Sequence, residues 1–295
     1  MKKHSAFTMI ELVFVIVVMG IIGKFGVEFL VQSYKSFIFS SINNSLQEKS
    51  AFSVEFLASR LQYRVKDSVI AREEKNDNNY TAIGNVDNKT YKVLEWIQSD
   101  IDGFRGLNEP YWSALADIDK GDKSTIYSPK TDTSLLNLQI QSLSYNTVGV
   151  DASAIYFIGS NNDIDGYGWK GGAFSDQSGV MHRIEDGADT STFYSKDDNF
   201  TNVYEYYKLS WTANAVVIEN YDTEKGMGDL FFYYNYQPWN GQHIKDTPAN
   251  LKRVLLMENV STFKFLSIGS ILKIQICTKS DLVEEYSLCK EKTIF

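Results

Sequence analysis

Proline is scarce in this chain of 295 residues: there are four, and none precedes Pro110. Glycine is likewise missing between Gly26 and Gly84. These two residues disfavour helix interiors most strongly, so little interrupts a helix beyond the first thirty positions. Cysteine occurs only at Cys277 and Cys289, a spacing that excludes a CxxC redox or zinc motif. The three histidines, His4, His182 and His243, are scattered, and no GxSxG, HExxH or Walker pattern occurs. No catalytic set emerges, and the chain reads as a non-enzyme. Basic residues number 29 against 37 acidic ones, a net charge of −8. That balance argues against a nucleic-acid binder, because neutralising phosphates takes Lys and Arg.

What is present begins at the N-terminus. Residues 1–6 (MKKHSA) are short and basic, and residues 7–31 are almost wholly apolar, with Glu11 near their start. The apolar stretch is too long for a secretory signal peptide, and no Ala-x-Ala cleavage site comes after it. Twenty-five residues span roughly 37 Å as a helix, enough to cross a bilayer core of about 30 Å with some tilt. Lys2 and Lys3 place the N-terminus in the cytoplasm. A carboxylate inside such a span costs roughly 2.5–3.5 kcal/mol at mid-helix unless something pairs with it. A generic membrane anchor does not explain Glu11.

The order Ala6-Phe7-Thr8-Met9-Ile10-Glu11-Leu12, ahead of the apolar run, resembles the class III leader of type IV pilins and type II secretion pseudopilins. The resemblance implies cleavage between Ala6 and Phe7 by a prepilin peptidase and N-methylation of Phe7. Ala6 stands where the family usually has glycine. Glu11 is then the fifth residue after the cut, the position of the family's glutamate. There the carboxylate is expected to face the free α-amine of a neighbouring subunit, opposite charges in low dielectric favouring both ionised forms. The other reading of Glu11 is a side chain that snorkels to the cytoplasmic surface, one turn from Phe7. The family implies further partners: sister pilins or pseudopilins, the inner-membrane assembly platform and membrane lipid. It places the subunit in the inner membrane with a periplasmic head.

Past the membrane, Ile38, Ile42, Leu46, Phe52, Phe56, Leu57, Leu61, Val65 and Val69 recur at helical spacing. They predict one helix from Phe7 to about Arg72 whose second half packs on a head domain. Residues 73–79 (EEKNDNN) end it. From there to about residue 200 the chain is rich in Asn, Asp, Gly and Ser, with short apolar segments at 91–97 and 154–158. The remainder reads as antiparallel strands at 203–211, 215–221, 229–236, 260–267 and 271–278. Residues 212–214 are expected to turn between the first two, and Gly269-Ser270 to turn between the last two. A return strand at 284–290 would set the cysteines on neighbouring strands. Tyrosine-rich stretches suit sheet packing better than a stacking surface for sugars or bases.

The predicted class is therefore α+β. A long helix, spanning the membrane over its first half, packs on an antiparallel sheet that carries a large loop-rich insertion. The expected boundaries are a leader at 1–6, the spanning half at 7–31, the amphipathic half at 32–72, the insertion at 73–200 and the sheet at 201–295. That is the pilin architecture. Residues 47–70 and 255–278 resemble the J-type minor pseudopilins and related minor pilins. Where the main fibre subunit often has a proline, this chain has Glu28. A minor subunit acting near the tip is expected. The alternatives are a pilus-tip adhesin or ligand-binding subunit using the insertion, and a bitopic envelope enzyme. With the head exported, Cys277 and Cys289 are expected to form a disulfide; two free thiols are the alternative.

Two acidic loops carry a calcium hypothesis. Asn161-x-Asp163-x-Asp165-Gly166 supplies oxygen ligands at alternate positions, as the first half of an EF-hand loop does, but lacks the closing carboxylate. Gln98-x-Asp100-x-Asp102-Gly103 has Glu109 at the twelfth position but begins with a neutral ligand. Asx-rich turns capping their own backbone are the competing reading. Gly166-Tyr-Gly-Trp-Lys-Gly171 spells G-x-G-x-x-G, yet the residues after it (GAFSDQSG) do not read as a helix, so a phosphate cradle is not expected.

Overall fold

The computed structural model describes residues 8–87, 91–160, 163–280 and 286–295. The chain opens with helix α1 (Met9–Gln62), then strands β1 (Ile70–Arg72), β2 (Thr81–Ala82) and β3 (Val93–Gln98). Next come α2 (Ile101–Arg105), β4 (Thr125–Tyr127), α3 (Thr133–Leu143), β5 (Ala154–Phe157), β6 (Met181–Asp186), β7 (Thr192–Ser195) and β8 (Tyr207–Ser210). The C-terminal third holds β9 (Thr212–Asp222), β10 (Met227–Tyr236), β11 (Lys252–Ile268), β12 (Ile271–Lys279) and β13 (Ser287–Ile294). An eight-stranded sheet runs β13-β12-β11-β10-β9-β3-β1-β2, and a five-stranded sheet runs β4-β7-β6-β5-β8. The α+β class is the one expected.

The larger sheet is covered on both faces, and β3 shows why. Its sequence VLEWIQ is buried at every position, as a strand packed on two sides must be. Leu94 and Trp96 join Val54, Leu57, Ala58 and Leu61 of α1, together with Phe232, Phe263 and Ile274. Val93 and Ile97 point the other way, into a layer with Tyr156, Tyr167, Trp169, Met181 and Trp239. The smaller sheet packs α3 on its far side through Leu136, Ile140, Phe157, Phe193 and Tyr207. The order of layers is thus helix, large sheet, small sheet, α3.

Helix α1 has 54 residues, about 80 Å at 1.5 Å per residue. It meets the head at Phe39, whose ring lies 5.2 Å from that of Tyr286. The thirty residues before it project roughly 45 Å. The helix ends ten residues before the expected Arg72, and the reason lies in the residues themselves. Val65, Val69 and Ile70 are β-branched and favour extended backbone. They also sit on alternate faces, Val69 with the helix-side core and Ile70 with the opposite core, a period of two rather than 3.6. The backbone donors transfer accordingly: Val65 N–H bonds Ile97 O at 2.9 Å and Ser99 N–H bonds Tyr63 O at 3.0 Å. Arg64, 3% exposed, closes the end by donating to Leu61 O and Ser270 O, both at 2.7 Å. A cation there also complements the helix dipole.

A second difference concerns residues 212–214, which are not a turn but the first residues of β9. Trp211 alone separates β8 from β9, and the two strands enter different sheets. The segment 73–200 contributes β3 to the middle of the large sheet, as well as β4 to β7 and α3 of the outer layers. The β11–β12 hairpin turns at Gly269, with φ +60°, as expected for a left-handed turn residue. Strand β13 pairs with β12 so that Cys277 faces Cys289, and the two form a disulfide.

The seat of the helix and the edge of the sheet each set a stability expectation. Leu57 is fully buried at the seat of the helix. Leu57→Ala is expected to lower the unfolding free energy of the full chain in detergent by about 2–5 kcal/mol, read by chemical denaturation; a loss under about 1 kcal/mol would mean that the helix does not depend on this seat. Reduction of Cys277–Cys289, whose partners lie 12 residues apart, should lower stability by about 3 kcal/mol, and an unchanged denaturation midpoint would contradict it.

Candidate functional site

The apolar half of α1 is presented to its surroundings on all sides. Met9 is 85% exposed, and Phe14, Phe25 and Phe29 are exposed as well. One helix among the described residues is long and apolar enough to cross a membrane, and it is this one. Glu11 sits in its first turn, where its carboxylate accepts from Thr8 N–H at 2.9 Å and Thr8 Oγ1–H at 2.7 Å. This is the reach-back half of a capping box: Glu11 satisfies a donor that the helix cannot. The Thr8-x-x-Glu11 spacing is readable in the sequence. So is a pair that pattern reading missed: Lys24 and Glu28 lie 3.8 Å apart at an i,i+4 spacing. Each offsets the other's charge within the apolar run. Ala6 and Phe7 lie outside the described residues.

The acidic loops are built differently from one another. Asp100 is 3% exposed and caps α2. Its carboxylate accepts from Gly103 N–H at 3.2 Å, Trp112 Nε1–H at 3.1 Å and Gln139 Nε2–H at 3.3 Å. One acid thereby ties the end of β3 to α3 and to the loop carrying Trp112. Burial, reinforced by the negative charge of Asp102, pushes its carboxyl up to about 6 against the pull of those hydrogen bonds. Gln139 Oε1, buried nearby, has no hydrogen-bond partner. Asp102 and Glu109 are exposed. In the other loop, Asp163 accepts from Asp165 N–H at 3.1 Å as the cap of a short 3₁₀ turn. Asp165 pairs with Lys170 and accepts from Tyr80, which holds its carboxyl below the usual range. Asn161 lies outside the described residues. Among the described residues no three acidic, histidine or cysteine side chains are placed to hold a metal ion.

The G-x-G-x-x-G stretch packs the interior. Gly168 adopts φ +94°, and a Cβ there would approach the Pro238 carbonyl carbon to 2.6 Å. Tyr167 and Trp169 on either side are buried between the sheets, and Trp169 Nε1–H donates to Ser68 O at 3.0 Å. His182 is buried against Gln177 at 3.1 Å, and burial pushes its imidazole down to about 4. His243 is buried elsewhere, beyond Gly171.

No known family pattern, curated protein or solved structure matches this chain. The long apolar N-terminal helix on a β-rich head is compatible with pilin-like architecture.

Asp100 gives a pH prediction. An unfolded aspartate titrates near about 4, whereas the buried carboxyl titrates at about 6. The folded state binds the proton more tightly in that window, so this contribution is complete below about pH 4 and is lost as pH rises through about 6. Asp100→Asn removes it. Denaturation of the variant between about pH 4 and 6 should show a stability that falls less with rising pH, by up to about 1.4 kcal/mol per pH unit; parallel curves for the two proteins would exclude the assignment.

Proposed function

We propose that the chain is a minor subunit of a type IV pilus or a type II secretion pseudopilus. It is held in the inner membrane by the first half of α1, with its head in the periplasm. Assembly is noncovalent. After cleavage between Ala6 and Phe7, the apolar helix docks among sister helices and Glu11 meets a neighbour's α-amine, giving up its bond to Thr8. The observation that carries this reading is the division of α1: residues 9–31 are largely apolar and exposed, while Val54, Leu57, Ala58 and Leu61 are buried in the head. A helix so divided has one half committed and one half waiting for a partner, lipid or protein. The leader sequence and the Thr8–Glu11 pairing give further support. The bulk of the head favours a place near the tip, since the second sheet and α3 would crowd a repeated fibre.

Display of a ligand by the outer layer is a second reading, supported by the smaller sheet, which is not needed to seat the helix. Removal of residues 73–200 is unsuitable as its test, because it would take β3 from the centre of the large sheet.

The decisive variant is Glu11→Ala in cells making the assembly machinery. Leader cleavage should persist, judged by mass spectrometry of the N-terminus, while incorporation into fibres should fall at least tenfold. Wild-type incorporation would sink the pairing role of Glu11.

A further inference from the structure

Five asparagines stand in the Asn-x-Ser/Thr pattern that marks N-glycan acceptors in exported chains: Asn43, Asn79, Asn88, Asn199 and Asn259. Glycan transfer to a folded head requires the side-chain amide in solvent and a non-helical backbone around it. It also requires a free hydroxyl two residues on, by which a transferase orients the amide. The fold separates the candidates on these grounds. Asn43 lies inside α1, and its Oδ1 accepts from Gln47 Nε2–H at 3.1 Å and from the Tyr286 hydroxyl. Asn259 lies inside β11, which is hydrogen-bonded to β10 on one side and β12 on the other. Asn199 is exposed, but the Thr201 hydroxyl donates to Gln177 O and Asp197 pairs with Arg183 at 3.3 Å. Asn88 lies outside the described residues.

Asn79 meets each requirement. It is exposed in the loop that joins β1 to β2. Its backbone carbonyl accepts from Arg72 at 3.4 Å, whereas among the described residues its side-chain amide and the Thr81 hydroxyl form no hydrogen bond. Tyr80 between them is anchored, its ring beneath the Arg72 guanidinium at 5.2 Å and its hydroxyl donating to Asp165. Asn79 and Thr81 are two positions apart, the spacing that shares one side of an extended chain. Holding Tyr80 therefore presents the amide and the hydroxyl together. Asp77 adds a carboxylate two positions before the acceptor, where Asn43 and Asn259 have Ser41 and Met257. One of its oxygens accepts from Glu74 N–H at 2.9 Å.

We infer that Asn79 is an N-glycosylation site, modified by an oligosaccharide from a lipid-pyrophosphate carrier. In the transfer, Asn79 Nδ2 attacks the anomeric carbon of the sugar. The bond from that carbon to the pyrophosphate oxygen breaks with its electron pair, the nitrogen–carbon bond forms, and one amide proton passes to a base of the transferase. The product has a structural use. Strand β2 is an edge of the eight-stranded sheet, and a glycan two residues before it would shield that edge from pairing with another chain. The inference rests on export of the head, and not on assembly into a fibre.

The test uses the full chain isolated from the membranes of its native cells. Mass spectrometry with fragmentation that localises the sugar should find an oligosaccharide on Asn79. Asn79→Gln should abolish it. So should Thr81→Val, which keeps the acceptor and the branched shape of the strand residue but removes the hydroxyl. Asn199→Gln should leave it unchanged. Protease added to spheroplasts reports export independently. An unmodified Asn79 on a head that the protease reaches would overturn the site alone, as would a glycan that survives Thr81→Val. A head that the protease does not reach would overturn export and this inference together.

Discussion

A carboxylate sealed away from water organises the head. Glu95 lies in the middle of β3, 1% exposed, with the helix layer on one side of its strand and the small sheet on the other. An isolated charge in that position would be expensive. It persists because Arg72 on the adjacent strand meets it at 2.6 Å and the Tyr236 hydroxyl donates to it at 2.8 Å. Arg72 in turn donates to the carbonyls of Asp77 and Asn78 and to that of Trp169, and its guanidinium lies over the Tyr80 ring at 5.2 Å. One ion pair therefore joins β1, β3, β10, the 73–80 turn and the second layer. Pairs of this kind add little net stability, but losing one member leaves the other stranded, at several kcal/mol. An arrangement that parted Arg72 from Glu95 would leave a buried charge unpaired.

Much of this was legible beforehand, for reasons tied to particular residues. The long helix was visible because Pro and Gly are missing where they would break it. The β11–β12 hairpin was visible because Gly269 supplies the left-handed turn. The end of the helix was not. Val65 and Val69 continue the apolar spacing of Leu57 and Leu61, and only the pairing of Val65 with Ile97 shows that they have changed period. Of the second sheet, β8 lies within the strand expected at 203–211 and β5 within the apolar segment at 154–158, whereas β4, β6 and β7 were illegible because they are short, three to six residues, and separated by polar loops. Glu95 and Arg72 gave no local sign either, since their partnership spans 23 positions and depends on strand pairing.

At the candidate site the sequence carried the elements and the structure supplied their couplings. Alternating Asp and Asn serve both calcium loops and backbone caps, and spacing alone does not separate the two uses. Here Asp100 and Asp163 cap their own turns, and Asp165 pairs with Lys170. Thr8-x-x-Glu11 and Lys24–Glu28 are local pairs, legible by looking three and four positions ahead. The contact of Phe56 with Phe232 is not, because the two rings meet only once the helix lies on the sheet.

The uninterrupted α1 also has a mechanical meaning. A rod of about 80 Å without proline, and with no glycine past Gly26, lacks a hinge residue between Gly26 and its seat on the head. An axial step at the projecting end reaches Leu57 and the sheet beneath it through continuous helix. A tilt of about 5° at one end swings the other by roughly 7 Å. The head is thus carried as the load on a piston, and force applied to the projecting apolar half becomes displacement of the head.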